Sequence, residues 1–229
     1  MARLKKKFFG NLSGKFGDAV FRQQGDKNYI AQRPSSYRVP DTQDYKDRTN
    51  KFGISVKLAK AIYRIPALKT FWQKEYPDES RLFNLIVRVN YPFINSDGIS
   101  STPNITPEEN GFSVSLNSSS IDENGINVQI APLLNSVYLD PGVDTRIRLI
   151  TIILFTDPLD KGLPEIRLLS LQSDDLSFSF NDPISFQILP SSKYSERLQN
   201  YRQKKAFFAL VTLDDNNHLT NYSSTFFEL

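Results

Sequence analysis

The chain has 229 residues, of which 39% are hydrophobic, and a formal net charge of +3 at pH 7. This length and apolar content are those of a globular protein with one large domain or two smaller ones. No cysteine is present, which excludes disulfides, thiolate metal sites and cysteine nucleophiles. The charge is uneven, because residues 1–75 carry 17 Lys/Arg against 6 Asp/Glu, whereas residues 76–229 carry 11 against 19. A basic first third joined to an acidic remainder indicates that one part of the chain docks onto a partner.

Residues 1–40 are predicted to form an extended basic arm. Residues 20–24 and 27–32 have the alternation of strands and are separated by Gly25-Asp26, a pattern typical of a short β-hairpin. Arg33-Pro34 and Val39-Pro40 favour extended backbone beside each proline. Aromatic side chains interleave with basic ones along this arm. We expect these residues to contact a partner: Phe8, Phe9, Phe16, Phe21, Arg22, Tyr29 and Arg33.

Residues 41–95 are predicted to be a helical segment. Asp41 or Thr42 is a suitable N-cap for a first helix, whose apolar residues recur at helical spacing before Pro66 breaks the pattern. Phe52, Val56, Ala59 and Tyr63 form one apolar stripe, widened by Leu58, Ile62 and Ile65, and we expect this stripe to be buried. Further helical pieces are predicted over residues 67–76 and from residue 79 to about residue 89.

Residues 96–229 are predicted to form an antiparallel β-sandwich of immunoglobulin or fibronectin type. Short apolar runs alternate there with Asp-Pro, Asn-Gly and Asp-Asp turn signals. The polar segment 193–205 is expected to be a long connection between strands. The fold class is therefore α+β, with an arm, a helical segment and a β-rich C-terminal part. Strands are predicted over residues 112–116, 126–130, 145–155, 165–172, 176–180, 184–189, 206–213 and 225–229.

The arm resembles the opening of an uncharacterised family that is frequent in Bacteroidota genomes and their phages and carries a domain-of-unknown-function label. The residues that carry the resemblance are Ser13-Gly14-Lys15-Phe16-Gly17, Val20, Gly25, Tyr29, Arg33-Pro34, Thr42, Gln43, Arg48 and Phe52. The last strands, with a Tyr222-Ser223 pair, are also similar, but Gln32 stands where family members often have a second basic residue. The resemblance implies no catalytic residues, and its phage association implies a structural or assembly role.

Signatures of enzymes, cofactor sites and metal sites are absent from the sequence. Residues 10–15 are only vaguely similar to a phosphate-binding loop, because Phe16 replaces the Ser or Thr and no helix is predicted to follow. The pairs Asp174-Asp175 and Asp214-Asp215 lack the spacing that collects calcium ligands, and turn formation accounts for them. The single histidine, His218, lies in a predicted loop. We expect no catalytic residue, no cofactor, no metal and no small-molecule substrate.

Three functions remain open. The first is a non-enzymatic structural subunit of a multi-copy assembly, such as a connector, ring or capsid-associated protein of a phage virion. Its partners would be other copies and other structural proteins, bound through the arm. The second is a nucleic-acid-associated packaging or architectural protein that uses the basic arm. The third is a carbohydrate- or surface-binding β-sandwich module.

The expected location is the virion or the host cytoplasm. The basic N-terminus lacks the apolar core of a signal peptide. No stretch reaches the roughly 18 apolar residues that are needed to span a bilayer, so we expect no membrane partner.

Overall fold

A computed structural model of the chain describes residues 2–3, 14–24, 27–33, 40–134 and 138–227. The chain divides into two compact units, Met1–Thr42 and Gln43–Leu229. The regular elements among the described residues of the first unit are strands, and the second unit combines helices with β-sheets. The prediction of an α+β protein with a β-rich C-terminal half is confirmed.

The first unit is a four-stranded antiparallel sheet. Its strands are β1 (Ala2–Arg3), β2 (Gly14–Phe16), β3 (Ala19–Gln24) and β4 (Lys27–Gln32), in the order β1-β4-β3-β2. Gly17 begins the two-residue turn between β2 and β3 with φ of +55°, a conformation that glycine adopts without steric cost. The predicted hairpin over residues 20–32 is therefore confirmed as β3 and β4, and β1 and β2 extend it on both sides.

Three helices begin the second unit: α1 (Gln43–Tyr63), α2 (Pro66–Glu75) and α3 (Leu82–Asn90). Pro66 separates the first two, because proline cannot continue a helix but suits its first turn. The three predicted helical pieces are therefore confirmed. No helix in the described part of the chain is both long and apolar enough to cross a membrane.

The predicted apolar stripe of α1 is buried except at Phe52: Ala59 and Ile65 lie in the core, and Val56 and Tyr63 are partly buried against it. Ile54, Leu58 and Ile62 are buried, whereas Phe52 is 56% exposed. The first turns of α1 carry polar and charged residues, and its contact with the body develops from Ile54 onward, where Ser170 Oγ donates to Ala61 O at 3.0 Å. The prediction that Phe52 lies in the core is wrong, because Phe52 lies before Ile54, in the part of the helix that precedes its contact with the body.

A six-stranded antiparallel sheet forms the centre of the second unit. The two longest strands pair along their whole length, from Arg146↔Leu213 to Tyr201↔Pro158. Alternate residues of these strands belong to two separate apolar clusters, so the sheet is buried on both faces. The strands are β7 (Arg146–Pro158), β8 (Ile166–Gln172), β9 (Leu176–Ser177), β11 (Tyr201–Leu213), β12 (Leu219–Tyr222) and β13 (Phe226–Phe227).

The helices cover one face of this sheet and a smaller sheet covers the other. Ile150 and Ile152 share the first cluster with α1, α2 and α3. Leu149 and Ile153 share the second cluster with a three-stranded antiparallel sheet. That sheet consists of β5 (Leu116–Asp122), β6 (Gly125–Ile130) and β10 (Ile184–Ile188), in the order β10-β6-β5. The helical range 41–95 and the β-rich range 96–229 therefore share a core.

The strand predictions fail mainly where strand residues are polar. The range 193–205, which is polar and permits a helix, was predicted as a connection between strands; α4 (Ser192–Asn200) does connect β10 to β11, but residues 201–205 already belong to β11. Arg202, Gln203 and Lys204 are exposed, so this end of β11 lacks an apolar signal. The structure places β5 at residues 116–122 rather than 112–116, and β12 was not predicted.

Candidate interaction surfaces

The N-terminal sheet has two chemically distinct faces. Residues that pair directly across antiparallel strands lie on the same face, and neighbours along a strand lie on opposite faces. The register Phe16↔Ala19 and Phe21↔Ile30 therefore defines one face, which we call the apolar face: it carries Phe16, Ala19, Phe21 and Ile30, together with the polar residues Asn28 and Gln32. The register Lys15↔Val20 and Arg22↔Tyr29 defines a basic face, made of Lys15, Val20, Arg22, Tyr29 and Ala31.

The edge strand β2 is the most exposed part of this sheet. All three of its residues are exposed, and Phe16 leaves 79% of its surface in solvent. Among the described residues, β2 pairs only with β3, so its outer backbone edge is open there. An aromatic side chain beside an open edge is a site where a further strand can pair.

The residues predicted to contact a partner do not form one surface. Phe16 and Phe21 lie on the apolar face, and Arg22 lies on the basic face beside Tyr29. Arg33 follows β4, and its N–H donates to Asp18 O at 2.6 Å. Phe8 and Phe9 lie outside the described residues. The described set therefore divides into two apolar and two basic-face residues, with Arg33 at the end of a strand.

A groove between α1 and α3 was not predicted. It encloses about 490 Å³, and its lining is largely apolar. Lys51 Nζ lies 4.3 Å from the ring centroid of Tyr91 at its border, and Arg88 is an exposed cation of the lining. Sequence reasoning missed this surface because it assigned Phe52 to the core. We call it the helix groove; its residues are Phe52, Val56, Phe83, Asn84, Val87, Arg88 and Tyr91.

A second exposed apolar feature is the turn at residues 138–143, which we call the 138–143 turn. Tyr138 is 50% exposed and Val143 is 44% exposed. The Val143 N–H donates to Asp140 O at 2.9 Å, and the Gly142 N–H donates to Asp140 Oδ1 at 2.8 Å. These bonds close the backbone of residues 140–143 into a hydrogen-bonded turn.

The buried carboxylate of Asp144 fastens this turn to the sheet. One oxygen accepts from the Asp140 N–H at 2.8 Å, and the other accepts from Thr212 Oγ1 at 2.7 Å. Thr220 Oγ1 and Asn221 Nδ2 also donate to this carboxylate. Donors from three segments satisfy the buried charge, and they tie residues 140–144 to β11 and β12.

The two acidic pairs have structural partners. Arg148 donates to both oxygens of Asp175, with Nε–Oδ1 at 2.6 Å and Nη2–Oδ2 at 2.8 Å. This bond lowers the pKa of Asp175 and raises the pKa of Arg148. Asp214 accepts from the backbone N–H of His218, which lowers the pKa of that carboxyl. These contacts fit ion pairing and turn formation.

The acidic and histidine side chains of the described ranges do not form a metal site. No group of three or more His, Asp or Glu side chains there is arranged to hold a metal ion. His218 is exposed, and its Nδ1 lies 3.1 Å from Asp214 Oδ2. Lys15 and Phe16, beside the glycine-rich residues, lie in a strand rather than in a helix. The phosphate-loop geometry is therefore not present at these two residues.

The outer face of the three-stranded sheet is polar, with Asp122 at the end of β5 as its charged residue. Its exposed side chains form cross-strand rows through the pairings Ser118↔Gln129 and Ser185↔Gln129. Gln129 Nε2 donates to Ser185 Oγ at 3.4 Å, and Asn127 Nδ2 donates to Ser120 Oγ at 3.3 Å. The other outward residues are Ser118, Ser120, Asn127, Gln129, Ser185 and Gln187. None is aromatic, so this face lacks the stacking platforms that sugars commonly use.

Comparison of the sequence with known proteins finds no matching family model and no matching curated protein.

Proposed function

We propose that the protein is a non-enzymatic structural subunit of a multi-copy assembly and that it docks through the sheet in Met1–Thr42. The observation that carries the proposal is the exposed edge strand β2, with Phe16 beside it. Pairing of a partner strand with β2 satisfies open backbone groups and covers Phe16. Burying a phenylalanine side chain contributes about 1.5–3 kcal/mol. Backbone pairing with β2 would therefore orient the partner strand, and burial of Phe16 would contribute to the binding free energy.

The charge distribution supports docking between copies. The basic face of the sheet and the acidic composition of residues 76–229 have opposite sign, so different parts of two copies attract each other. The resemblance of residues 13–52 to a phage-associated family favours a virion component, such as a connector, ring or capsid-associated protein. Its partners are other copies and other structural proteins, in the virion or the host cytoplasm.

The layered core is suited to a rigid subunit. The two sheets enclose one apolar cluster, and we propose that they form the predicted sandwich, with the helices added on its outer side.

A substitution at Phe16 tests the proposal. Phe16→Asp in the full chain places a charge beside the edge, so we expect smaller assemblies at the same concentration and an unchanged melting midpoint. Leu189→Asp is the matched control, because Leu189 is 71% exposed in the other unit. The measurement is sedimentation velocity. Assemblies of unchanged size in the Phe16 variant would contradict docking through this edge.

A second candidate function is nucleic-acid binding by the basic face. Arg22 and Tyr29 pair across β3 and β4, so a cation and an aromatic ring lie side by side there. In that case Arg22→Glu would weaken retention on single-stranded DNA, with a steep salt dependence, and nuclease would dissolve the assemblies. The outer face of the three-stranded sheet offers no aromatic platform for carbohydrate binding among its outward residues.

A further inference from the structure

We infer that the 138–143 turn of one copy docks into the helix groove of the next copy. This inference rests on the proposed multi-copy assembly and names one contact within it. It concerns only the unit Gln43–Leu229, and it is independent of the β2 edge.

The helix groove has the shape and chemistry of a receptor for apolar side chains. Phe52 forms part of its wall while exposing 56% of its surface, and Val56, Phe83 and Tyr91 are only partly buried. Exposed aromatic and aliphatic side chains around a concave surface are typical of interaction sites. A volume of about 490 Å³ accommodates two medium-sized side chains, such as those of tyrosine and valine.

The 138–143 turn has the properties of the inserted element. Tyr138 and Val143 project from a turn whose backbone is held by hydrogen bonds to Asp140 and Asp144. A rigid turn loses little conformational entropy on binding, which favours affinity. Leu139, between these residues, packs against the cluster between the two sheets, so the base of the turn is anchored.

The charges around the two surfaces are complementary. Lys51 and Arg88 provide cations at the helix groove; Arg88 Nη2 lies 3.8 Å from Glu79 Oε2 but stays 73% exposed, and Lys51 is the cation beside the Tyr91 ring. The 138–143 turn carries exposed Asp140, and the β11–β12 loop beside it carries Asp214 and Asp215. The nearby cation Arg146 donates to Asn217 Oδ1 at 2.7 Å. Acidic residues near the turn and basic residues at the groove favour binding of one to the other over self-pairing of either surface.

The two surfaces lie on different layers of the fold. The groove belongs to the helices on one face of the six-stranded sheet, and the turn connects β6 to β7 on the opposite side. Contact between two different surfaces of identical chains is heterologous, so it repeats from copy to copy. Such a contact produces a closed ring when the rotation closes and a filament when it does not, and both are multi-copy assemblies.

A complementation experiment with full-length chains tests this contact. Phe52→Asp disables the groove and leaves the turn intact, whereas Val143→Asp disables the turn and leaves the groove intact. We expect the Phe52 variant to bind the Val143 variant at least about tenfold more tightly than either variant binds itself, as for a central interface residue. Only the mixed pair contains one intact groove and one intact turn. The measurement is biolayer interferometry with one variant immobilised.

Leu189→Asp is the control, because Leu189 lies in neither proposed surface. Leu189→Asp should bind each variant as the unchanged chain does, and all three variants should keep the melting midpoint of the unchanged chain. Equal affinity for mixed and identical pairs would overturn the groove–turn contact. The β2 edge is unaltered in every pair, so equal affinities would not contradict docking through the N-terminal sheet. Conversely, a mixed-pair advantage together with no effect of Phe16→Asp would contradict only the proposed docking through β2.

Discussion

Single polar residues in this protein fix loops that composition alone would leave undetermined. Asp144 is buried, yet its carboxylate accepts hydrogen bonds from Thr212, Thr220, Asn221 and the Asp140 N–H. In the sequence, Asp144 follows a Pro-Gly pair, a context that is typical of a turn with solvent-exposed aspartates. Its partners lie about 70 residues away along the chain. Sequence reasoning from local pattern therefore could not identify it.

Loss of the Asp144 carboxylate should destabilise the fold. Asp144→Ala leaves several buried donors without an acceptor, and we expect the free energy of unfolding to fall by about 2–4 kcal/mol. Asp215→Ala is the matched control, since Asp215 is exposed and accepts one bond, from Thr145 Oγ1. That change should cost less than about 0.5 kcal/mol. Urea denaturation measures both, and equal losses would contradict a special role for the buried carboxylate.

Tyr194 should make the free energy of unfolding decrease at alkaline pH. Its hydroxyl lies 2.6 Å from Asp122 O and 3.0 Å from Gly125 O, and burial, with a smaller effect of Asp122, raises its pKa to about 12. The folded state thus retains a proton that the unfolded state loses near pH 10. This contribution is fully present below about pH 10 and is lost as the pH rises through about 12.

The expected measurement is the free energy of unfolding between pH 9 and 12. The unchanged chain should lose stability across this window, and Tyr194→Phe should lose less because it has no proton to release there. Tyr222, whose pKa burial also raises, remains in both chains and contributes equally. Parallel pH profiles for the two chains would contradict the role given to Tyr194.

Elements with a strong apolar pattern could be predicted, and elements without one could not. The runs in β6, β7 and β10 and the helices around Pro66 are close to their predicted ranges, because burial on one or both faces imposes apolar residues. The start of β11 is polar and α4 buries only Tyr194, so neither had a periodic signal. The helix groove was not predicted, because the apolar spacing of α1 does not show which of its apolar residues are buried in the core and which remain exposed.

The two apolar lines of α1 should respond differently to charge. Ile62→Asp places an unpaired charge in the core and should lower the free energy of unfolding by about 3 kcal/mol or more. Phe52→Asp, at a half-exposed position, should lower it by less than about 1 kcal/mol. The measurement is the loss of stability of each variant relative to the unchanged chain, obtained from thermal melts. A large loss in the Phe52 variant would place that ring in the core, as the periodicity alone predicted.

At the scale of the whole molecule, the charge asymmetry of the sequence corresponds to two roles that we propose for the units: docking for Met1–Thr42 and a stable core for Gln43–Leu229. The described residues of Met1–Thr42 form a sheet with an apolar face, a basic face and an edge strand, β2, that pairs only with β3 among them, whereas Gln43–Leu229 contains the buried apolar clusters. Composition predicted this division, since residues 1–40 lack the apolar content of a core. The four-stranded sheet was not predicted, because β1 and β2 are two and three residues long.

The central claim is that the N-terminal unit drives assembly, and removal of that unit tests it most directly. Sedimentation velocity would compare the full chain with residues 43–229, each with and without nuclease treatment. We predict that the full chain forms nuclease-resistant assemblies that shrink, but do not vanish, at high salt, because apolar contacts are not screened. Residues 43–229 should unfold cooperatively and form smaller species. Assemblies of the same size and stoichiometry from residues 43–229 would contradict the claim.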